Sequence, residues 1–357
     1  MNRYVLDYAQ DRRLFGTSAQ RLANAAVLMA VCVAPFIVPA YFAGEITFIF
    51  IMGIASVGLM ILTGFTGQVS LGHSAFVAIG AYVHTILFTH GLPWPSSLIA
   101  GAVVSAAMGL LIGLPAIRVS GLHLTMVTLA FAIITEHTLG QWTSLTGGNG
   151  GLAVPEPAIL GISLGGTKAF YFSCLAILLL VLLLAANLMR SPLGRAWIGV
   201  RDSSAAAQGL GIHLATYKVS AFVTSAAVCG LAGGLLAHQI QFITPEAFGL
   251  SLSLQLMMMV FIGGMGSLRG ALLGAILIGI LPTAVSLAKG LMPASFQTRV
   301  GHELFIYGAV LTVFVLAEPN GLNGRLTALL QYVARFPLVQ RGNRRRTKTY
   351  MRSERLR

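Results

Sequence analysis

Charge is what this sequence has least of. Asp, Glu, Lys and Arg make up 9% of its 357 residues, against roughly 25% in a soluble domain. From Ile46 to Ile117 there is none at all. So few charges cannot cover a soluble apolar core of this size, and the class is a polytopic, all-α membrane protein. Acid is scarcer still, with 10 Asp and Glu against 23 Lys and Arg. Glu45, Glu136, Glu303 and Glu318 sit at the edges of apolar runs and none at a centre. A cation-coupled carrier acting alone needs an intramembrane carboxylate or a His relay, so the absence of a central carboxylate argues against that class. The three cysteines, Cys32, Cys174 and Cys229, are far apart in apolar stretches. That spacing excludes a disulfide framework and a thiolate metal site, and small buried hydrophobes remain. The glycine-rich TGGNGG (Thr146–Gly151) and GISLGGTK (Gly161–Lys168) are not followed by Gly-Lys-Ser/Thr, so neither is a nucleotide loop. No Ser-His-Asp set marks an enzyme.

What remains is hydrophobic: 56% of the chain, with mean hydropathy +0.82. At roughly 20 residues per span, the runs give about ten crossings, with eight or nine open because of one short element. They are Leu22–Ala43, Ile46–Thr63, Leu71–Thr89, Ser96–Ile117, Leu122–Gln141, Ala169–Met189, Lys218–Gln241, the short Ser253–Met265, Ala271–Ala288 and His302–Ala317. The first is too long and too Pro-rich for a signal peptide and reads as an uncleaved span. The expected division is a cytoplasmic arm (1–21), a permease domain (22–318) holding an outer loop (142–168) and a cytoplasmic loop (190–217), and a basic tail (319–357). A net charge of +13 would also suit nucleic acid. Here the cations gather at the N-terminus, in the central loop and in the tail, where cytoplasmic segments collect them. The tail from Arg341 is expected to be disordered or to lie on anionic headgroups.

The central loop, MRSPLGRAWIGVRDSSAAAQGLGIHLA from Met189 to Ala215, is the charged interior stretch. Ser191 is an N-cap with Pro192 at the first helical position. Asp202 or Ser203 caps a second short helix that ends at Gly209 or Gly211. A capped, basic, helical loop between spans is a docking surface. Three further signals carry less. In TGFTGQVSLGHSAFVAIGA (Thr63–Ala81), Gly64, Gly67 and Gly72 interrupt an apolar region beside Gln68, Ser70 and His73. Such breaks mark substrate paths, or a polar turn with packing glycines. Thr146–Gly151 is either a backbone nest for an anion or a turn. Gly64 and Gly67 recur 199 positions later as Gly263 and Gly266, which hints at two halves of about five spans.

GFTGQVSLGHSAFVAIGAY (Gly64–Tyr82), SGLHLTMVTLAFA (Ser120–Ala132), TGGNGGL (Thr146–Leu152), SPLGRAWIGVRDSSAAAQGLGI (Ser191–Ile212) and FIGGMGSLRGALLGA (Phe261–Ala275) resemble, in this order, the membrane permease subunits of branched-chain amino-acid ABC importers. More specifically, they are similar to the larger of the two paired permeases. Urea, short-amide and aromatic-acid importer permeases share these motifs. The resemblance implies a heterodimer with a smaller homologous permease, two cytoplasmic ATPase subunits that hold ATP and Mg, a periplasmic binding protein, and no cofactor in this chain. It implies a bacterial inner-membrane location, and the parity of about ten spans with the basic clusters puts both termini in the cytoplasm. Ser191, Gly194, Arg195, Arg201, Asp202 and Gly211 become ATPase-coupling residues, with Gly211 matching the motif glycine. Gly64, Gly67, Gln68, Ser70, Gly72, His73, Thr125 and Thr128 fall near the path. Thr146, Gly147, Gly148, Asn149, Gly150 and Gly151 face the binding protein.

Overall fold

The computed structural model describes residues 18–119, 121–159, 162–163, 166–290, 308–309, 312 and 321–335. Most of the expected tenth span, His302–Ala317, and the arm and tail beyond 17 and 335 lie outside them. The described residues are predominantly helical. The membrane helices are α1 (Ser18–Ile37), α2 (Ala40–Leu59), α3 (His73–Thr89), α4 (Trp94–Ala116), α5 (Leu122–Gln141) and α6 (Thr167–Arg190). Two short helices follow, α7 (Pro192–Asp202) and α8 (Ser204–Gly209). After them come α9 (Leu214–Ile240), α10 (Leu250–Gly263), α11 (Leu268–Gly290) and α12 (Gly321–Arg335). Among the described residues six helical stretches are long and apolar enough to cross a membrane, and α3 and parts of α1 and α11 are shorter apolar helices.

The first two boundaries differ from the sequence reading. The expected span Leu22–Ala43 is divided, because Pro39 supplies no amide and α2 starts at Ala40. Helix α2 then runs on through a π-helical turn, Met60–Phe65, past the expected end at Thr63. The short eighth element gains length from a 3₁₀ turn, Pro245–Phe248, that leads into α10.

The core is built around α2 and α9. The apolar window of α2 is 83% buried, against 22% for α5, so one is the hub and the other a wall. Helix α9 packs along α4, α3 and α2. It comes close because Gly80, Gly101 and Gly230 leave no side chain where α3, α4 and α9 meet: a Cβ at Gly80 or Gly101 would strike a neighbouring main chain, and one at Gly230 the Ser105 side chain. The small residues and the absent charges of the sequence thus have one cause: tight helix contacts in an apolar solvent. The strands are two-residue pairs. β1 (Leu152–Ala153) joins β4 (Phe242–Ile243), and β2 (Ala158–Ile159) joins β3 (Ile162–Ser163).

The two ends differ in charge. Arg118, Arg190, Arg195, Arg201, Lys218, Arg269 and Arg325 all lie at or beyond helix termini at the end that carries α7 and α8. Glu45, Glu136, Glu156 and Glu246 lie at the opposite end, with Lys168 and Lys289.

Candidate functional site

The loop between α6 and α9 is folded as its caps require. Ser191 Oγ accepts the Gly194 amide at 3.4 Å, with Pro192 at the first helical position. Ser203, not Asp202, caps α8, accepting the Ala206 amide at 3.2 Å. Trp197 is fully buried. Its indole N–H lies 3.0 Å from Tyr217 O and 3.1 Å from Ser220 Oγ, which bolts α7 to the first turns of α9. Gly194 lies flush against the backbone of Leu188 and Met189. Arg195 donates to Arg190 O at 2.8 Å, closing the C-terminal end of α6.

Of the six loop residues singled out by sequence, Ser191, Gly194 and Arg195 therefore serve the loop's own architecture, although Arg195 remains exposed. Arg201 turns inward and donates to Gly64 O at 2.9 Å, while Asp202 stays exposed beside it. The outward surface is α8 and its end: Ser204, Gln208, Gly209, Leu210 and Gly211. Leu210 is 83% exposed, an apolar knob standing free on the most polar part of the chain. Nothing in the composition of the loop distinguishes that leucine from the many others. Its signal is position, between Gly209 and Gly211, the latter with φ of +82°. A groove of about 450 Å³ lies behind it, between Ile117, Gln208, His213 and Lys218.

The second constellation is the elbow between α2 and α3. The structure brings all its sequence-selected residues together. Past the π-helical turn, Gly67–Gly72 is non-helical and, after the exposed Gly67, buried or half-buried, and it is bonded to α5. Thr128 Oγ accepts the Leu71 amide at 3.1 Å, and Thr125 Oγ donates to Val69 O at 3.3 Å. Gln68 Nε2 donates to Thr66 Oγ1 at 3.0 Å. His73 is fully buried, with Nδ1 3.0 Å from Ser70 Oγ and Nε2 2.7 Å from Ser225 Oγ. Ser225 in turn donates to Gly58 O at 2.6 Å. Non-helical backbone at membrane depth requires such satisfaction by protein. Ser225 carries no motif, so sequence reasoning missed it. A second elbow, Gly264–Ser267 between α10 and α11, lies against the first: the Gly266 amide is 3.3 Å from Met60 Sδ. The glycine recurrence 199 positions apart thus places two elbows side by side.

At the opposite end, Thr146–Gly151 is a closed turn. The Gly147 amide is taken by Thr143 O, that of Gly148 by Thr146 Oγ and that of Gly151 by Gly148 O. With those three amides spent, the geometry favours the turn over an anion nest. Asn149 and Gly150 are exposed. Nearby, His84 Nε2 and His238 Nε2 are 2.7 Å apart, a buried pair that 154 residues of separation hid. Phe88, Trp94 and Phe170 surround it. His238 also lines a cleft of about 580 Å³ with Glu45, Glu156, Gln239 and Gln241. Among the described residues no group of three or more His, Cys, Asp or Glu is placed to hold a metal ion.

An apolar helical body with a capped polar knuckle at its basic end defines an integral membrane protein. The chain belongs to the family described as branched-chain amino acid transport system permease component, whose model matches residues 41–315. It is therefore a membrane permease component, not a catalytic subunit. It is 31% identical over 331 residues to the high-affinity branched-chain amino acid transport system permease protein LivM of Salmonella typhimurium, covering 86% of this chain and 75% of that one. It is 26% identical over 295 residues to the probable branched-chain amino acid transport permease protein LivH of Methanocaldococcus jannaschii, covering 79% and 91%. The autoinducer 2 import system permease protein LsrC of an Enterobacter species is 27% identical over 293 residues, covering 78% of each chain. No solved structure matches.

Proposed function

We propose that this chain is one of two paired permease subunits of an ATP-driven importer of branched-chain amino acids. Its basic end, with both termini, faces the cytoplasm of a bacterial inner membrane, as the distribution of Arg and Lys supports. The observation that carries the reading is the Ser191–Ile212 loop: two capped helices, bolted to α9 through Trp197, presenting α8 and Leu210 outward. Two ATPase subunits, holding ATP and Mg, dock there; this chain needs no cofactor of its own. The docking face is Ser204–Gly211 with Asp202, while Ser191, Gly194 and Arg195 hold it in shape.

A periplasmic binding protein delivers substrate at the opposite end, where Asn149 and Gly150 stand out from the Thr146–Gly151 turn. The Gly64–His73 elbow, with Thr125 and Thr128, is the inner hinge beside the path. The exposed apolar faces of α4, α5 and α6, among them Val103, Leu114, Ile134 and Leu184, meet lipid and the second, homologous permease. The substrate class follows the printed names of LivM and LivH, and a relative named for autoinducer 2 import shows that similar bodies serve other cargo.

Reconstitution with a paired permease, the ATPases and the binding protein tests this. Leucine uptake in proteoliposomes is expected to require ATP and to persist when ion gradients are collapsed. Uptake by this chain alone, driven by an ion gradient, would overturn the reading.

A further inference from the structure

We propose that Arg201 is the positioning residue that carries displacement of the coupling loop into the two membrane elbows, an inference that rests on reading Ser191–Ile212 as that loop. Arg201 is the last residue but one of α7, yet its side chain reaches across 137 residues of sequence to the far end of α2. Nη1 donates to Gly64 O at 2.9 Å. That carbonyl belongs to the last turn of the helix, where acceptors lack intrahelical partners and the helix dipole is negative, so a guanidinium is the fitting donor. Asp202 Oδ1 holds the other side of the same group, 3.0 Å from Nε and 2.9 Å from Nη2. The two side chains are 34% and 62% exposed. An ion pair so open to water contributes little stability. Its value is directional: it fixes the plane of the guanidinium toward Gly64.

The surroundings are cut to admit this side chain. A Cβ at Gly67, where φ is +72°, would lie 3.0 Å from Arg201 Cγ, and one at Gly266, where φ is +82°, would lie 2.8 Å from Nη1. Both elbows are thus bare where Arg201 enters. One member of each recurring glycine pair, Gly67 and Gly266, lines that notch. The Gly266 amide against Met60 Sδ ties the second elbow to the first. The gripped turn is π-helical, Met60–Phe65, a geometry rare in proteins and frequent at functional places. Trp197 links the loop to the flanking span α9, and Arg201 links it to α2, α10 and α11. A push on α8 therefore reaches both.

The test uses the complete complex in proteoliposomes and reads substrate molecules taken up per ATP hydrolysed, with a Gln208→Cys cross-link to the ATPase as the docking control. In Arg201→Ala, uptake per ATP is expected to fall about tenfold or more, the scale of a typical coupling free energy, while the cross-link still forms. Arg201→Lys restores part of the loss, since one ammonium donor still reaches Gly64 O without the planar fork that Asp202 orients. Asp202→Asn, at an exposed position that leaves packing alone, gives a smaller loss in the same direction. Unchanged uptake per ATP in Arg201→Ala overturns the proposal. So does loss of the cross-link in that variant, because Arg201 would then act in docking. Failure of the Gln208→Cys cross-link in the chain with Arg201 intact strikes the coupling-loop reading itself, a separate result.

Discussion

His73 Nε2 lies 2.7 Å from Ser225 Oγ, joining the first turn of α3 to the middle of α9 across 152 residues of sequence. Ser225 passes the contact on to Gly58 O in α2, so one imidazole ties together the three most buried helices. With Ser70 on its other nitrogen, His73 has both ring positions satisfied. Its removal takes one partner from each of two buried hydroxyls, which keep the Gly72 amide and Gly58 O, so the cost is about 0.5–1.5 kcal/mol each. His73→Ala is expected to lower the thermal unfolding midpoint of the purified complex while the folded fraction still transports. An unchanged midpoint would show that the network does not brace the elbow.

Trp197 holds the Ser191–Ile212 loop to α9 with its whole indole, buried and hydrogen-bonded at Nε1. Truncating a buried Trp costs about 3–5 kcal/mol, and here the cost falls on the seat of α7 rather than on the membrane core. Trp197→Ala should insert normally yet co-purify with at least tenfold less ATPase. Equal co-purification would mean that α7 keeps its place without the indole.

Leu210, 83% exposed at the tip of the loop, touches too little of its own chain to matter for folding. Leu210→Glu is expected to leave the amount of protein in the membrane unchanged and to abolish ATPase association. Association that survives the charge would move the docking face elsewhere on α8.

The His84–His238 pair stands in membrane helices, where a titrating relay would couple transport to protons. The reading of an ATP-driven system assigns it a structural role instead. His238→Gln keeps a polar group opposite His84 Nε2, so ATP-driven uptake should stay within about twofold of the parent and its pH dependence should not change. Collapse of uptake in this variant, with the complex still assembled, would restore an ion-coupled mechanism.

The helices were legible because charge-free runs of spanning length leave few other solutions: α5 coincides with the expected Leu122–Gln141. The caps at Ser191 and Ser203 were legible for the same local reason, a hydroxyl placed two or three residues before an orphan amide. What sequence could not show depends on contacts distant along the chain. The inward turn of Arg201, the partnership of His73 with Ser225 and the His84–His238 pair all require helix packing, which spacing does not encode. The break at Pro39 and the π-helical extension past Thr63 were missed because hydropathy does not change there.

The most direct measurement is the sidedness and company of position 210. In a Cys32→Ser background, leaving Cys174 and Cys229 buried, Leu210→Cys is expected to react with a membrane-impermeant thiol reagent from the cytoplasmic side alone. It is also expected to be shielded when the ATPase subunits are bound. Labelling from the outer side, or labelling indifferent to the ATPase, would contradict the account.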